Sequence, residues 1–130
     1  MRCALWPEET PAEHRQGMQG WLARDDTTVF VAARASGAHL AGFAEIGTRP
    51  YADGCDSCPV AYLEGWYVDA DVRRIGVGAA LVDACEKWAR GRGLSEFASD
   101  ALLDSEQSHR AHVALGFVEV ERAVRYRKAL

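Results

Sequence analysis

The sequence predicts a mixed α/β fold (α+β), in which helices flank a central β-sheet with both antiparallel and parallel strands. Two observations support this prediction. Residues 28–47 form two β-rich segments around a Ser36-Gly37 turn, which is typical of an antiparallel hairpin. Residues 60–99 follow as strand, helix and strand, and a crossover of this kind favours parallel strands. At 130 residues we expect one domain spanning positions 1–130.

The first half of the chain predicts one helix and three strands. Thr10-Pro11-Ala12-Glu13 is a capping box with proline at the first helical position, so a helix is expected to continue to about Leu22. The expected strands are Thr28–Arg34, His39–Gly47 and Val60–Val68. Gly65 indicates a bulge or a close approach inside the third strand. The segment 49–59 is rich in Gly, Pro and Asp, and its length suggests a functional loop.

The clearest helical signal is an apolar stripe that begins at Val77. Its members recur at helical period: Val77, Leu81, Ala84, Cys85 and Trp88. Gly91 and Gly93 can end this helix. The basic glycine loop 73–78 precedes it, and the first N–H groups of a helix have no partner within the helix, so they favour an anion such as phosphate. On spacing alone, a turn that binds no ligand is equally compatible with this pattern.

The remaining elements complete the predicted sheet. Leu94–Ser99 is expected to be a buried strand. Asp104 or Ser105 caps a last helix that runs to about Leu115 and stops at Gly116. Phe117–Arg122 and Val124–Lys128 are expected to be two final strands or one bent strand.

Composition narrows the class of protein. The net charge of −4 and the pI of about 5.5 argue against a nucleic-acid surface and suit a cationic small molecule. No apolar run is long enough for a transmembrane helix, so no membrane contact is expected. The N-terminal residues lack a secretion signal, from which we expect a cytoplasmic protein with reduced cysteines. Cys55 and Cys58 have the spacing of a redox pair or of half a zinc site, but no second Cys or His pair lies at a matching interval, so no metal is expected.

Several segments resemble a known family. Arg73-x-x-Gly76-x-Gly78 after Trp66-Tyr67-Val68 resembles the acetyl-CoA motif of the GNAT superfamily of N-acetyltransferases, and Ala114-Leu115-Gly116-Phe117 resembles its second landmark. Further segments look like the aminoglycoside 6'-N-acetyltransferases: 51–59, 63–65, 98–100, 119–122 and 126–128. The resemblance covers nearly the whole chain and implies a GNAT fold. That family begins with an additional strand before the equivalent of Trp6-Pro7, so we expect the first strand to be missing here.

The resemblance also implies an activity. It implies direct transfer of an acetyl group from acetyl-CoA to the 6'-amino group of an aminoglycoside antibiotic in a ternary complex, with resistance as the outcome. Two alternatives are an acetyltransferase for another small-molecule or protein amine, and a CoA-binding module without turnover. The resembled subfamily commonly pairs through its C-terminal strands, so a homodimer is implied as well.

The resemblance assigns residues to the cofactor. Trp66, Tyr67 and Val68 would lie along the acetyl and pantetheine arm, with Gly65 splaying this strand from the next. Six residues would offer N–H groups to the pyrophosphate: Arg74, Ile75, Gly76, Val77, Gly78 and Ala79. Arg73 or Arg74 would add charge, and Ser105 stands where related helices often carry Asn. The simpler alternatives are strand packing for the aromatic residues and solvated charge for the arginines.

The resemblance assigns residues to the substrate and to catalysis as well. Glu64, Asp100 and Glu121 would line the aminoglycoside site, with Trp6 and Tyr51 as aromatic walls. An ammonium must lose a proton before it attacks, and Glu64 and Asp100 are the candidate bases. His112 stands where many superfamily members use Tyr to protonate the departing thiolate. The alternatives are solvent-facing strand carboxylates, a turn residue at Asp100 and a packed or surface histidine at His112.

Overall fold

The computed structural model describes residues 1–130 and contains a mixed four-stranded sheet with helices on both faces. The helices are α1 (Arg2–Leu5), α2 (Pro11–Leu22), α3 (Val77–Gly91) and α4 (Glu106–Ala114). The strands are β1 (Thr27–Ala33), β2 (Leu40–Arg49), β3 (Val60–Val68) and β4 (Phe97–Ser99), with a 3₁₀ turn at Ala70–Val72. The strand order is β1-β2-β3-β4, antiparallel except for the parallel pair β3–β4. The predicted fold class is confirmed, and β1 is an edge strand of the sheet. None of the helices is long and apolar enough to cross a bilayer.

Local sequence chemistry accounts for the first elements. The backbone N–H of Thr10 donates to Glu13 at 2.7 Å, and the N–H of Glu13 donates to the Thr10 hydroxyl at 3.3 Å. This capping box starts α2 with Pro11 in its first turn, as predicted. The hairpin β1–β2 closes through a turn in which Gly37 has φ of +72°, a conformation that glycine adopts without a steric penalty.

The core lies between the sheet and α3. Its fully or nearly buried members come from β2, β3 and one face of α3: Ala44, Ile46, Ala61, Leu63, Leu81, Val82, Cys85 and Ala89. The apolar stripe predicted for α3 is therefore the face that packs on the sheet. Helices α1 and α2 contact the sheet through β3 and β1. The other face of β2 carries Phe43, whose ring lies 6.3 Å from that of Trp6.

Strand β3 pairs with β2 along most of its length but with β4 over only part of it. It pairs with β4 only from Ala61 to Leu63, where Leu63 lies opposite Ser99. Against β2, Ile46 pairs with Leu63 while Glu45 pairs with Gly65, so Glu64 is the extra residue of a β-bulge. The bulge expected near Gly65 is confirmed. Beyond Leu63 and Ser99 the two strands part, which opens a fork in the sheet.

Two predicted strands differ from the structure. The C-terminal prediction was wrong, because 117–130 forms no strand and 118–130 is exposed throughout. β-Prone composition makes a strand only where a neighbouring backbone completes the hydrogen-bond ladder, and none lies alongside this segment in the chain. The fourth strand starts at Phe97 and not at Leu94, because the Leu94 N–H donates to Ala89 at the end of α3.

Gly65 provides a test of how closely α1 approaches the sheet. A Cβ at this position would lie 2.5 Å from Cη2 of Trp6, so we expect Gly65→Ala to lower the free energy of unfolding by about 1–3 kcal/mol. The matched control is Gly20→Ala in α2, where no atom lies within 4 Å of the new Cβ. That variant should gain about 0.5–1 kcal/mol from helix propensity. Urea unfolding measures both, and equal effects at the two positions would contradict the close approach.

Candidate active site

Two carboxylates stand where the sheet divides. Glu64 occupies the bulge directly after Leu63, and Asp100 directly follows Ser99, the register partner of Leu63. Tyr62 is buried two residues before Glu64 in β3, and it pairs with Ala98, two residues before Asp100. Burial raises the pKa of its hydroxyl, and the charges of Asp100 and Glu64 add to the effect. The structure therefore brings the two predicted bases to one fork.

Each of these carboxylates has an arginine of the chain as its partner. Arg49 donates to Glu64 through Nε at 2.7 Å and Nη2 at 2.5 Å, and its guanidinium carbon lies 3.4 Å from the centroid of the Tyr62 ring. Arg125 donates to Asp100 at 3.2 Å. Arg49, Tyr62 and Arg125 are not among the residues that the sequence predicts. A signal for Tyr62 was available in the sequence: side chains alternate between the two faces of a strand, so Tyr62 must lie on the opposite face of β3 from Leu63.

Trp6 forms a wall against the same part of β3. Its ring covers Gly65, and the Arg2 guanidinium lies 4.6 Å from the ring centroid. Arg2 also forms an ion pair with Glu45, whose residue surface is only 3% exposed. Burial raises the pKa of Glu45, and the hydrogen bond from Arg2 opposes that effect. The sequence did not single out Glu45, because a lone strand carboxylate is usually solvent-facing.

Tyr51 and Glu121 are exposed residues of a separate patch, and no hydrogen bond joins them. The exposed Tyr51 donates to Asp53 at 2.6 Å, and this bond raises the pKa of Tyr51, with a smaller contribution from the charge of Glu121. The loop and the C-terminal segment pack here, since a Cβ on Gly54 would lie 2.6 Å from Val120. No hydrogen bond or ion pair joins this patch to Glu64 or Asp100.

The glycine loop ends in an open helix N-terminus. Gly76 precedes α3 with φ of +94°, and Arg74 also has a positive φ of 60°. No side chain caps the helix, and the first N–H that reaches a helical carbonyl is that of Ala80, which donates to Gly76 at 3.0 Å. The N–H groups of Val77, Gly78 and Ala79 are thus left for another acceptor. An anion such as phosphate suits this arrangement.

The arginines around the loop differ in whether their guanidinium groups are hydrogen-bonded to the chain. Arg73 donates to the Val68 carbonyl at 2.8 Å and so fastens the loop to the end of β3. Arg34 fastens the 3₁₀ turn through hydrogen bonds of 2.7 to 2.9 Å to Asp69 and Asp71. Exposed Arg74 makes neither a hydrogen bond nor an ion pair, and Ile75 beside it is also exposed. Of the two predicted arginines, Arg74 therefore has its charge free.

Trp66, Tyr67 and Val68, which the sequence predicts to lie along the cofactor, pack their side chains against other parts of the chain. Tyr67 stacks on Phe43 at 6.1 Å, and Val68 packs against the core beside α3. Trp66 packs on the start of α3, where a Cβ on Gly78 would lie 2.9 Å from its Cζ2. Its buried Nε1 has no hydrogen-bond partner, so an unused donor lies beside the glycine loop. The main-chain edge of this segment that faces β4 is unpaired.

His112 bridges the two arms of the fork. Its Nδ1 donates to the Ser108 carbonyl at 2.8 Å, which leaves Nε2 facing the Ser99 hydroxyl at 3.0 Å. Its ring also meets Trp66 edge-on at 5.4 Å. At the start of α4, Ser105 is the N-cap residue but makes no side-chain capping bond, so its hydroxyl is available.

If the glycine loop binds phosphate, alanine substitutions at Gly76 and Gly37 should differ in their effect on cofactor affinity. Gly76→Ala would force alanine to φ of +94° at the helix start, at a cost of about 1–3 kcal/mol that distorts the N–H array. We expect the Kd for acetyl-CoA to rise by about tenfold in isothermal titration. Gly37→Ala is the control, because it carries a similar strain at φ of +72° in the hairpin turn. It should lose stability and keep its affinity, and equal affinities for both variants would argue against phosphate at the loop.

Comparisons with known proteins place this site in a family. The model of the acetyltransferase (GNAT) family matches residues 1–117. The chain is 50% identical to aminoglycoside N(6')-acetyltransferase type 1 of Klebsiella aerogenes, over all of this chain and 87% of that protein. It is 46% identical to the enzyme of the same name from Serratia marcescens, over all of this chain and 89% of the relative.

Solved structures give the same result. AAC(6')-Iy in complex with the bisubstrate analogue CoA-S-monomethyl-acetylneamine has a TM-score of 0.93 at 36% identity, covering 100% of this chain and 88% of that one. The aminoglycoside 6'-N-acetyltransferase AAC(6')-Ih from Acinetobacter baumannii has a TM-score of 0.92 at 37% identity, covering 99% and 87%. The GNAT fold expected from the sequence is thus confirmed, and the chain belongs to the GNAT family of acetyltransferases.

Proposed function

We propose that this chain is an aminoglycoside 6'-N-acetyltransferase that uses acetyl-CoA. The observation that carries the proposal is the fork, where Glu64 and Asp100 flank the point at which β3 and β4 part. Carboxylates and an aromatic face suit a polycationic amine, and the open α3 N-terminus suits a phosphate-bearing co-substrate. The relatives at 50% and 46% identity carry this activity in their names.

The residues present fit acetyl-CoA, which would supply the acetyl group as a thioester. Val77, Gly78 and Ala79 would donate N–H bonds to the pyrophosphate, with Arg74 adding charge. The unpaired main-chain edge of residues 65–68 would donate to the acetyl and pantetheine carbonyls, as an oxyanion hole does. The Nε1–H of Trp66 and the hydroxyl of Ser105 are further hydrogen-bond donors that are not used by the helix cap or by another side chain.

Asp100 is proposed as the base for the amine. An alkylammonium with pKa near 10.4 costs roughly 4–5 kcal/mol to deprotonate at pH 7, so a positioned acceptor is needed. Glu64 is held by two hydrogen bonds from Arg49, whereas Asp100 has one longer contact from an exposed arginine. Asp100 is therefore the freer of the two to take a proton. Glu64 and Trp6 would orient the substrate at the fork, and Tyr51 and Glu121 would contact it from their separate patch.

His112 is proposed to protonate the departing thiolate. Its Nδ1–H is engaged by Ser108, so the exchangeable position is Nε2, which faces Ser99 at the fork. The transfer is proposed to be direct, without a cysteine carrier. Cys85 is fully buried, and burial raises its pKa to about 12, which leaves it unreactive at neutral pH.

Acetylation turns an ammonium into a neutral amide and so removes a cationic contact from the antibiotic, for which we propose resistance as the consequence. We further propose that the enzyme acts in the cytoplasm. Acetyl-CoA is an intracellular co-substrate, and cysteine thiols stay reduced in that compartment.

We also propose that the chain is a homodimer. β4 is an unpaired edge of the sheet, and a cavity of about 480 Å³ runs beside it, lined by β4, α4 and the C-terminal segment. The segment 117–130 is β-prone and has no ladder of its own. Pairing of these edges between two copies would satisfy both.

A free-thiol assay of CoA release tests the activity. We expect release with kanamycin and neamine, and none with an aminoglycoside that carries a hydroxyl at the 6' position. Release with polyamines or peptides alone would indicate a different acceptor. A thermal shift with acetyl-CoA but no release with any amine would indicate a binding module without turnover.

Asp100→Asn separates catalysis from binding. The change keeps the shape and removes the basicity, so kcat should fall by about 10²–10⁴ if Asp100 takes the proton. Asp83→Asn on the outer face of α3 is the control and should leave kcat unchanged. A higher KM with normal kcat would show that Asp100 only binds the substrate. Normal values of both constants would show that it is only a turn residue.

Sedimentation tests the dimer. We expect a dimer at micromolar concentration, and a monomer for Val124→Pro, because proline removes a backbone donor from the C-terminal segment. A monomeric wild-type protein, or a variant that stays dimeric, would count against pairing through this segment.

A further inference from the structure

We propose that Arg49 occupies the ammonium subsite of the free enzyme and has to leave it when the substrate amine binds. The inference rests on the proposed function, and it makes Arg49 a residue that determines specificity. The guanidinium lies between the Glu64 carboxylate and the face of Tyr62, which are the groups a substrate ammonium would use.

The Arg49 guanidinium is held more closely than in an ordinary ion pair on a protein surface. Two parallel hydrogen bonds of 2.7 and 2.5 Å join Arg49 to Glu64, and the guanidinium carbon lies 3.4 Å from the Tyr62 ring centroid. A carboxylate below and an aromatic face alongside form a complete cation site. Glu64 is 24% exposed, so its side chain is mostly removed from water.

Arg49 is also placed so that it can leave. It is the last residue of β2, its side chain is 39% exposed, and it donates to nothing except Glu64. Rotation of the side chain would move the guanidinium into water and would break only its contacts with Glu64 and Tyr62. Arg34 differs in this respect, since it bonds two aspartates at once and fastens the 3₁₀ turn.

The occupied subsite has a consequence for selectivity. A single alkylammonium is a weaker partner for a carboxylate than a bidentate guanidinium, so a simple monoamine competes poorly for Glu64. A polycation brings further ammonium groups to Asp100, where Arg125 makes only one contact from an 80% exposed position. Such a substrate can displace Arg49, and its apparent Kd is the intrinsic value divided by the fraction of open sites.

Arg49→Met tests the proposal, because methionine keeps an unbranched stem over Tyr62 and removes the competing charge. With neamine as the probe, we expect Kd in isothermal titration and KM in the thiol assay to fall about three- to tenfold. kcat and the affinity for acetyl-CoA should stay within about twofold of wild type. Arg110→Ala is the control, since it removes the same charge from an ion pair on the surface of α4 and should leave both constants unchanged.

A double variant makes the test specific to Glu64. In the Glu64→Gln background, Arg49→Met should have no further effect on neamine affinity, because the competition for the carboxylate has gone. A higher KM in Arg49→Met would show that Arg49 holds Glu64 in place for the substrate, and an unchanged KM would show that the pair is inert. Either result overturns the proposal.

The wild-type protein supplies a readout that does not depend on the variants folding. Saturation with neamine should move the Nε–H resonance of Arg49 in a nitrogen-15 spectrum towards that of free arginine, and an unmoved resonance with neamine bound overturns the inference. If wild type binds and acetylates neamine while Arg49→Met matches it, only the Arg49 proposal fails. If neither protein binds neamine, the proposed function fails as well.

Discussion

The short pairing of β3 with β4 is the constraint on which the rest of the molecule depends. Three residue pairs hold these parallel strands together, and the ladder ends at Leu63 and Ser99. The bulge at Glu64 turns β3 at the same point, so two carboxylates come to the mouth of one gap. A longer ladder would close the gap and cover the main-chain groups that the proposed chemistry uses.

Two tryptophan–glycine contacts fix the positions of α1 and α3 relative to the fork. Trp6 rests on Gly65 from the side of α1, and Trp66 rests against Gly78 at the start of α3. Each contact needs the absence of a side chain, because a Cβ would come within 3 Å of the ring. Helix α1 and the open N-terminus of α3 are therefore both packed closely on β3, through neighbouring residues of that strand.

The sequence predicted the elements that local chemistry determines. The capping box at Thr10 and the apolar stripe of α3 are both in place, because they depend on residues a few positions apart. The C-terminal strands were wrong because a strand requires a partner backbone, which residue preferences do not supply. Arg49 and Glu45 could not be found from the sequence, because their contacts join residues 13 or more positions apart. The alternation of β3 indicates which face Tyr62 occupies, but it does not show that Arg49 covers the Tyr62 ring.

Arg74 makes stability and ligand affinity oppose each other at a single position. Its φ of 60° lies in the left-handed region, which costs an ordinary residue roughly 1–2 kcal/mol and glycine almost nothing. A glycine would therefore relax the loop and strengthen the folded state. It would also remove the positive charge that no other group of the chain neutralises beside the helix N-terminus. A substitution of Arg74 by glycine is therefore expected to increase the stability of the protein and to weaken its binding of an anion.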